Sequence, residues 1–420
     1  MPSSQQLMLP SISFHKISGK VVAIKVSSRL TNSKINKHAR ALVRFSLLYV
    51  LLMSVVYSIS KDLGHSPLFD SDRNSKELLI AIQGEQARRT RALLSGMRSN
   101  ASQILRRLSS STCVEFLFLI MTRSSEQRDR YLYLSRTVVK LLPILLQDNN
   151  ASLAVASFGN FTAQLETLSE FVPVKNHTFN RTDPASSDEY LRHQILDYAN
   201  FLRDCEGSRA TYCVMMEDDA LCSSLILKVL RYVLGSLLET RRRFGMVKLF
   251  MKEEWMGFGL DVIHEIFFIS ILSGLLSFVL LLACRSRLRK CSLCDRLLGS
   301  FVLAVAISFV AVAIGRPYWI QLRKPLVLAH ALVSPSPAAS NVGILFPRQV
   351  VEPLRRALLE EAANLTKPVE PVDVLVGKQL EASELPTYLV VPNLIEHIGF
   401  FSTSTSKQRD WREHFGVWTP

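Results

Sequence analysis

Three long apolar segments dominate the pattern of hydrophobic and polar positions along the chain. They lie at 41–60, 266–284 and 297–315. Each approaches the roughly 20 residues that a helix needs to cross the hydrocarbon layer of a bilayer. One such segment is compatible with a buried helix of a soluble protein, but three in one chain are typical of a membrane protein. We therefore predict a transmembrane anchor at 41–60 and a transmembrane hairpin at 262–315.

The net charge of +14 is concentrated beside these segments. Residues 1–61 contain nine Lys or Arg and no Asp or Glu, and the short connection 285–296 contains five basic residues and one Asp. These two regions together carry +13, so the rest of the chain is nearly neutral. Basic clusters flanking membrane spans mark the cytosolic side. We therefore place the basic tail 1–40 and the loop 285–296 in the cytosol, and we expect no nucleic-acid partner.

This orientation places a stem at 61–111 and the regions 112–261 and 316–420 on the lumenal side. Six Asn-x-Ser/Thr acceptors for N-glycosylation test that assignment, and all of them fall in these lumenal regions. They are Asn100, Asn150, Asn160, Asn176, Asn180 and Asn364. The first apolar segment is too long for the core of a signal peptide and lacks a small-residue cleavage site after it, so we expect it to be retained as an anchor.

Four cysteines belong to the predicted lumenal regions, where disulfides persist. They allow three complete pairings, and the sequence does not select one of them. These residues are Cys113, Cys205, Cys213 and Cys222.

The lumenal regions alternate between apolar runs typical of strands and periodic segments typical of helices. Strands are predicted at 113–121, 151–158, 211–216 and 246–251, and helices at 128–146, 187–205 and 225–243. Beyond the hairpin, short strands are predicted at 342–346, 372–376 and 388–391. Residues 71–111 are polar with spaced apolar positions, which predicts an amphipathic helical stem. The alternation predicts an α/β fold, interrupted by the hairpin between its first part at 112–261 and its second at 316–420.

Three adjacent acidic residues carry the strongest chemical signal. Glu217, Asp218 and Asp219 directly follow the apolar strand TYCVMM, and adjacent carboxylates repel one another unless a divalent cation offsets their charge. Ligands of α/β proteins bind at the carboxyl ends of strands. The triplet therefore fits a nucleotide-sugar site in which Mn²⁺ or Mg²⁺ bridges the diphosphate. A solvated turn or a helix N-cap is the alternative interpretation.

Four segments carry a resemblance to a known family. They are FLIMTRSSEQRDRYLYLSRTV (Phe118–Val138), VMMEDDA (Val214–Ala220), VKLF (Val247–Phe250) and VVPNLIEHIGFFSTSTSK (Val390–Lys407). With the predicted hairpin, they resemble the Golgi GPI-anchor N-acetylgalactosaminyltransferases, the post-GPI-attachment glycosyltransferases whose GT-A domain is split by a transmembrane hairpin. The EDD and PNLIEHIG patterns are also similar to N-acetylglucosaminyltransferase IV, a relative without the hairpin.

This resemblance implies a GT-A-like glycosyltransferase domain in the Golgi lumen, held by a multi-pass membrane protein with a cytosolic N-terminus. The implied reaction is metal-dependent transfer of N-acetylgalactosamine from UDP-GalNAc to a mannose of the GPI-anchor glycan. The implied acceptor is a GPI-anchored protein or a GPI glycolipid. A UDP-sugar transferase acting on N-glycans or glycolipids remains an alternative, as does a non-catalytic membrane adaptor that binds GPI.

The resemblance also implies roles for individual residues around the acidic triplet. Glu217, Asp218 and Asp219 would form the metal and UDP-sugar motif, with Asp219 as the nearest metal ligand. His397, in the sequence HIG, would lie near the metal or the diphosphate, a position that suits a neutral imidazole. A hydrogen-bonded structural histidine is the alternative.

Five further residues complete the predicted site. Arg123, Arg128 and Tyr131 would lie on the loop and helix after the first strand, where GT-A enzymes hold uridine, although packing or solvated roles are the alternative. Transfer with inversion needs a carboxylate base for the acceptor hydroxyl, and Glu253 and Glu254 are candidates by position. The sequence has KEEW where the resemblance leads us to expect a Pro-Glu-Arg-like segment, so solvated glutamates remain the alternative.

Overall fold

The computed structural model describes most of the chain. The described residues are 50–51, 53–58, 60–61, 63, 66, 76–109, 114–123, 129–159, 161–177, 186–240, 243–252, 263–283, 293–336, 341–365 and 368–399. The chain divides into two units, Met1–Met53 and Ser54–Pro420, and the second contains all the elements given below. The predicted tail 1–40 and much of the predicted anchor lie outside the described residues.

The helices and strands alternate along the chain, and the two helices of the predicted hairpin lie between 263 and 314. The α-helices are α1 (Lys76–Met97), α2 (Ala101–Ser109), α3 (Tyr133–Leu146), α4 (Ala163–Ser169), α5 (Ser187–Glu206), α6 (Ile226–Glu239), α7 (Ile263–Ala283), α8 (Leu293–Ile314), α9 (Arg316–Gln321), α10 (Arg348–Ala363) and α11 (Val372–Ala382). The strands are β1 (Phe116–Thr122), β2 (Ala151–Ser157), β3 (Val174–Asn176), β4 (Tyr212–Glu217), β5 (Ala220–Cys222), β6 (Met246–Lys248), β7 (Ala331–Val333), β8 (Gly343–Pro347), β9 (Thr387–Val391) and β10 (Ile395–His397).

One eight-stranded sheet organises the fold, in the order β3-β2-β1-β4-β8-β6-β9-β7. Strands β3, β2, β1 and β4 are parallel. Strand β8 is antiparallel to both of its neighbours, β6 is parallel to β9, and β7 is antiparallel to β9. Strands β1, β4, β6 and β9 therefore end at the same edge of the sheet. A separate antiparallel pair, β5 and β10, lies beyond the end of β4.

Helices cover both faces of the sheet because alternate residues of its strands are apolar on both sides. In β1, Phe116 and Phe118 face the core formed with α3 and α6, whereas Leu117 and Leu119 face the core formed with α5, α10 and α11. The predicted α/β class is confirmed: the domain is a mainly parallel sheet between two helical layers.

The region that the sequence assigns to a stem packs against this domain. Leu94 of α1 and both Ile104 and Leu108 of α2 belong to the core beside β2 and α3. The Ser152 hydroxyl donates to the Leu108 carbonyl at 2.7 Å. Helices α1 and α2 thus pack on the folded domain through their apolar positions.

The segment predicted as a strand at 372–376 is the first part of helix α11, so this prediction is wrong. Val372, Leu375, Val376 and Leu380 follow helical spacing, and three of them face the core. A five-residue apolar run fits a strand and a helix equally well, and only the longer pattern separates the two. Strands β3, β5, β7 and β10 are not predicted because three residues are too few to show alternation.

Helices α7 and α8 pack against each other and occupy the predicted hairpin. The hydroxyls of Ser270 and Ser308 lie 2.6 Å apart across their interface. The two helices lie between β6 and β7 in the chain, and so between the two parts of the α/β domain. Among the residues that the structure describes, no helix combines the length and the apolar character needed to cross a membrane.

A disulfide links the end of α5 to β4. It joins Cys205 to Cys213, with Cα atoms 6.0 Å apart. Cys222 is a buried free thiol whose sulfur lies 3.6 Å from Sδ of Met216, and Cys113 lies outside the described residues. The structure thereby selects one of the pairs that the sequence leaves open.

Candidate active site

Two short strands bring distant parts of the chain together at the carboxyl edge of the sheet. Strand β4 ends at Glu217, a two-residue turn follows, and β5 begins at Ala220. Strand β10 pairs with β5 so that His397 lies opposite Ala220. This register places the imidazole of His397 against the acidic turn.

The site consists of two carboxylates and one imidazole. Nε2 of His397 lies 3.2 Å from Oδ1 of Asp219 and 3.9 Å from Oε2 of Glu217. The side chain of Asp219 is fully buried, that of His397 is nearly buried, and that of Glu217 is partly open to solvent. The Ile398 amide donates to the Asp219 carbonyl at 2.9 Å, which fixes the turn next to β10. Of these three side chains, that of Glu217 is therefore the one most open to solvent.

These three residues fit a divalent cation. One ligand atom from each of Glu217, Asp219 and His397 lies within 4.8 Å of the other two, so a single ion can contact all three. Carboxylate oxygens with one imidazole nitrogen suit Mn²⁺ and related first-row ions. The structure brings together the three residues that the sequence predicts as metal ligands.

Asp218 faces away from this group. The Thr122 hydroxyl of β1 donates to its Oδ2 at 2.6 Å, and the Thr137 hydroxyl of α3 donates to its backbone carbonyl at 2.8 Å. Because Asp218 is buried, these bonds tie the acidic turn to β1 and α3. The middle carboxylate thus supports the turn that presents Glu217 and Asp219.

Of the residues expected to hold uridine, two are described and both have protein contacts. Arg123 forms an ion pair with Asp197 of α5. Tyr131 is buried and packs with Tyr133, Leu221 and Ile398, next to the β5–β10 pair. Through Ile398, Tyr131 contacts the segment that carries His397.

Three predicted site residues lie outside the described part of the chain: Arg128, Glu253 and Glu254. The predicted glycosylation sites at Asn100, Asn150 and Asn176 are exposed, and Asn364 is partly exposed. Asn160 and Asn180 also lie outside the described residues.

Two residues beside the site, Phe250 and Asn393, were not predicted from the sequence to lie there. The ring of Phe250 lies 5.8 Å from that of His397. Asn393 is buried and spans the Met251 backbone: its side-chain amide donates to the Met251 carbonyl at 2.8 Å and its Oδ1 accepts from the Met251 amide at 3.1 Å. The PNLIEHIG motif contains Asn393, but nothing in the motif indicates that its partner is the segment after β6. These two bonds hold the segment just before β10 against the segment after β6.

The sequence matches the family described as GPI-N-acetylgalactosamine transferase PGAP4 over residues 116–396. The chain belongs to the PGAP4 family. The match begins with β1, ends within β10 and includes the acidic turn and the hairpin. A comparison with curated proteins finds no match. As a member of the PGAP4 family, the protein is a glycosyltransferase that transfers N-acetylgalactosamine from a nucleotide-sugar donor to a GPI glycan.

Proposed function

We propose that the protein is a metal-dependent transferase that uses UDP-GalNAc and glycosylates a mannose of the GPI-anchor glycan in the Golgi lumen. The observation that carries the metal-dependent part is the convergence of Glu217, Asp219 and His397 at the carboxyl edge of the sheet. In this proposal the three residues hold Mn²⁺ or Mg²⁺. Such an ion would supply positive charge to neutralise the diphosphate leaving group.

The protein's own residues prepare this site before any ligand binds. Because Asp219 is buried beside His397, its carboxylate stays in contact with the imidazole. The hydrogen bond from Thr122 to Asp218 anchors the acidic turn to the sheet. Glu217, which is partly open, faces the direction from which the donor enters. Preorganised groups of this kind need little rearrangement as charge develops in the transition state.

The catalytic base is proposed from chain position alone. Glu253 and Glu254 follow Met251, whose backbone Asn393 binds. That bond brings the start of the segment close to β10. A carboxylate there would accept the proton of the mannose hydroxyl as the new glycosidic bond forms.

A membrane location is the second part of the proposal. Large apolar side chains are exposed along both α7 and α8, including Phe268 and Phe301. The basic loop between these helices would be cytosolic. A domain fastened to the lumenal leaflet would meet a lipid-borne acceptor in a restricted orientation, which lowers the entropic cost of productive encounter.

The metal site is tested with Asp219→Asn, which keeps the size of the side chain and removes its charge. The purified full-length variant should lose most Mn²⁺-dependent transfer of N-acetylgalactosamine to a GPI acceptor, and EDTA should abolish the wild-type activity until Mn²⁺ is restored. Asp188→Asn is the matched control, because Asp188 is an exposed residue at the start of α5. Wild-type activity in Asp219→Asn would reject the site.

A further inference from the structure

Residues 322–329, here called the return loop, expose an unusual amount of apolar surface. Leu322, Leu326 and Leu328 are 58%, 62% and 78% exposed. The surfaces of soluble proteins rarely cluster large apolar side chains in this way, and such patches mark sites of contact with other proteins or with membranes. Arg323, also exposed, and Lys324 accompany the leucines, so the loop combines apolar and basic side chains.

The backbone of the return loop is fixed by the domain. Val327, between the exposed Leu326 and Leu328, packs against the core beside α6. His330 is buried, and its Nδ1 lies 3.0 Å from the Leu326 carbonyl and 3.2 Å from the Val327 carbonyl. Burial lowers the pKa of His330, in keeping with a neutral ring that donates through Nδ1. The exposed leucines therefore project from a turn whose backbone is held in place by the domain.

The return loop starts at the base of the helical hairpin. Arg316, the first residue of α9, donates two hydrogen bonds of 2.7 Å to the carboxylate of Glu265 in α7. The indole of Trp319 donates to the Ala311 carbonyl of α8 at 2.9 Å. These contacts hold α9, which leads into the return loop, against the first turn of α7 and the last turn of α8. The exposed apolar side chains of the loop therefore follow those of the hairpin in the chain.

We propose that the return loop binds the lipid–water interface of the lumenal leaflet, as a third membrane contact beside the hairpin. This inference rests on the proposed transmembrane location of α7 and α8. Leucines would enter the boundary between headgroups and acyl chains, and Arg323 would remain among the lipid phosphates. Trp319 has the amphipathic ring that is enriched at this depth.

Such a contact would set the position of the active site relative to the bilayer. The return loop leads into β7, where Ala331 pairs with Val391 at the end of β9. Strand β9 is followed by Asn393 and then by β10 with His397. The loop and the site are thus joined through paired strands, and a loop held in the leaflet surface would hold the site at one height above it.

Photo-crosslinking in nanodiscs tests the contact. Full-length protein carrying p-benzoylphenylalanine at position 328 is irradiated in bilayers that contain an alkyne-tagged phosphatidylcholine. Position 276 of α7, 58% exposed, is the positive control, and position 365 after α10, 80% exposed, is the negative control. We expect labelling at 328 to approach that at 276 and to exceed that at 365 by about fivefold or more.

The outcomes separate the two proposals. Labelling at 276 with none above background at 328 overturns the return-loop contact and leaves the hairpin in place. Absence of labelling at both positions overturns the transmembrane hairpin and, with it, this inference. Neither result bears on the metal site, which the Asp219→Asn experiment tests.

A functional test uses Leu326→Ser combined with Leu328→Ser. The readout is the ratio of transfer to a GPI acceptor embedded in a bilayer over transfer to the same acceptor dispersed in detergent. If the loop sets the height of the site, this ratio should fall by about threefold or more. A general structural defect would lower both activities and leave the ratio unchanged, which would contradict the proposal. Leu365→Ser, distant from the loop in the chain, should keep the wild-type ratio.

Discussion

A Cβ atom added to Gly399 would lie 1.8 Å from Oδ2 of Asp219 and 2.6 Å from its Cγ. No side chain can approach a carboxylate that closely. Asp219 is fully buried and its backbone carbonyl accepts a hydrogen bond from Ile398, so the carboxylate has little room to withdraw. The glycine of the HIG sequence is therefore required where the chain passes over the acidic turn.

We predict that Gly399→Ala will reduce N-acetylgalactosamine transfer by about 100-fold, because a displacement of about 1 Å at a reacting centre has an effect of that size. The measurement is the initial rate with saturating donor and Mn²⁺. Gly84→Ala is the matched control, since a Cβ at Gly84 in α1 meets no atom within 4 Å. Equal rates for the two variants would show that the Asp219 carboxylate tolerates displacement.

Thr122→Val should disturb the acidic turn at Asp218, where the turn contacts β1. The valine lacks the hydroxyl that donates to Oδ2 of buried Asp218, and loss of a partner to a buried charged acceptor costs about 1–3 kcal/mol. We expect a lower midpoint of thermal unfolding together with reduced transfer. Thr167→Val in α4 removes an exposed hydroxyl that donates to the Ala163 carbonyl of the same helix and should leave the transfer rate unchanged. A wild-type melting curve for Thr122→Val would argue against the Asp218 bond.

The sequence was sufficient to place the acidic triplet because the strand before it is apolar on both faces. Residues of β4 contact one helical layer through Val214 and Met216 and the other through Cys213 and Met215. A continuous apolar run of this kind predicts a central parallel strand. Glu217 and Asp219 then follow at its carboxyl end, where ligands bind in such sheets.

The partner of the acidic turn could be named only through the family resemblance. His397 reaches Asp219 because β5 and β10 pair, and strands of three residues carry no readable alternation. The Asn393 bond to Met251 likewise joins two segments separated by the whole hairpin. Contacts between distant segments depend on register, which local patterns do not encode.

The Cys205–Cys213 disulfide joins two cysteines that are eight positions apart in the sequence. Removing such a crosslink raises the conformational entropy of the unfolded chain and is expected to lower the free energy of unfolding by about 2.5 kcal/mol. The double variant Cys205→Ser, Cys213→Ser should therefore unfold at lower temperature than the wild type, and reductant should shift only the wild type. Peptide mapping without reduction should recover a linked pair of these two cysteines. A linked peptide containing Cys113 instead would contradict the pairing.

Lys248 makes the stability of the domain dependent on pH. Its side chain is buried in β6, and burial lowers its pKa to about 8, while the nearby Asp373 carboxylate acts in the opposite direction. Below pH 8 both folded and unfolded chains carry the proton, so the folded state bears the full cost of the buried charge. As pH rises from 8 toward the ordinary lysine value of 10.5, the folded chain releases the proton first, and its relative stability increases.

Lys248→Met should therefore be more stable than the wild type at pH 7, by an amount on the order of 3 kcal/mol from the lowered pKa. The difference should narrow steadily between pH 8 and 10. Thermal unfolding midpoints of both proteins, measured across this range, provide the comparison. Lys378→Met is the control, because Lys378 is an exposed residue paired with Glu370 and its variant should differ from wild type by a nearly constant amount over the same range. A Lys248→Met difference that stays constant or widens would show that the buried lysine keeps its proton in the folded protein.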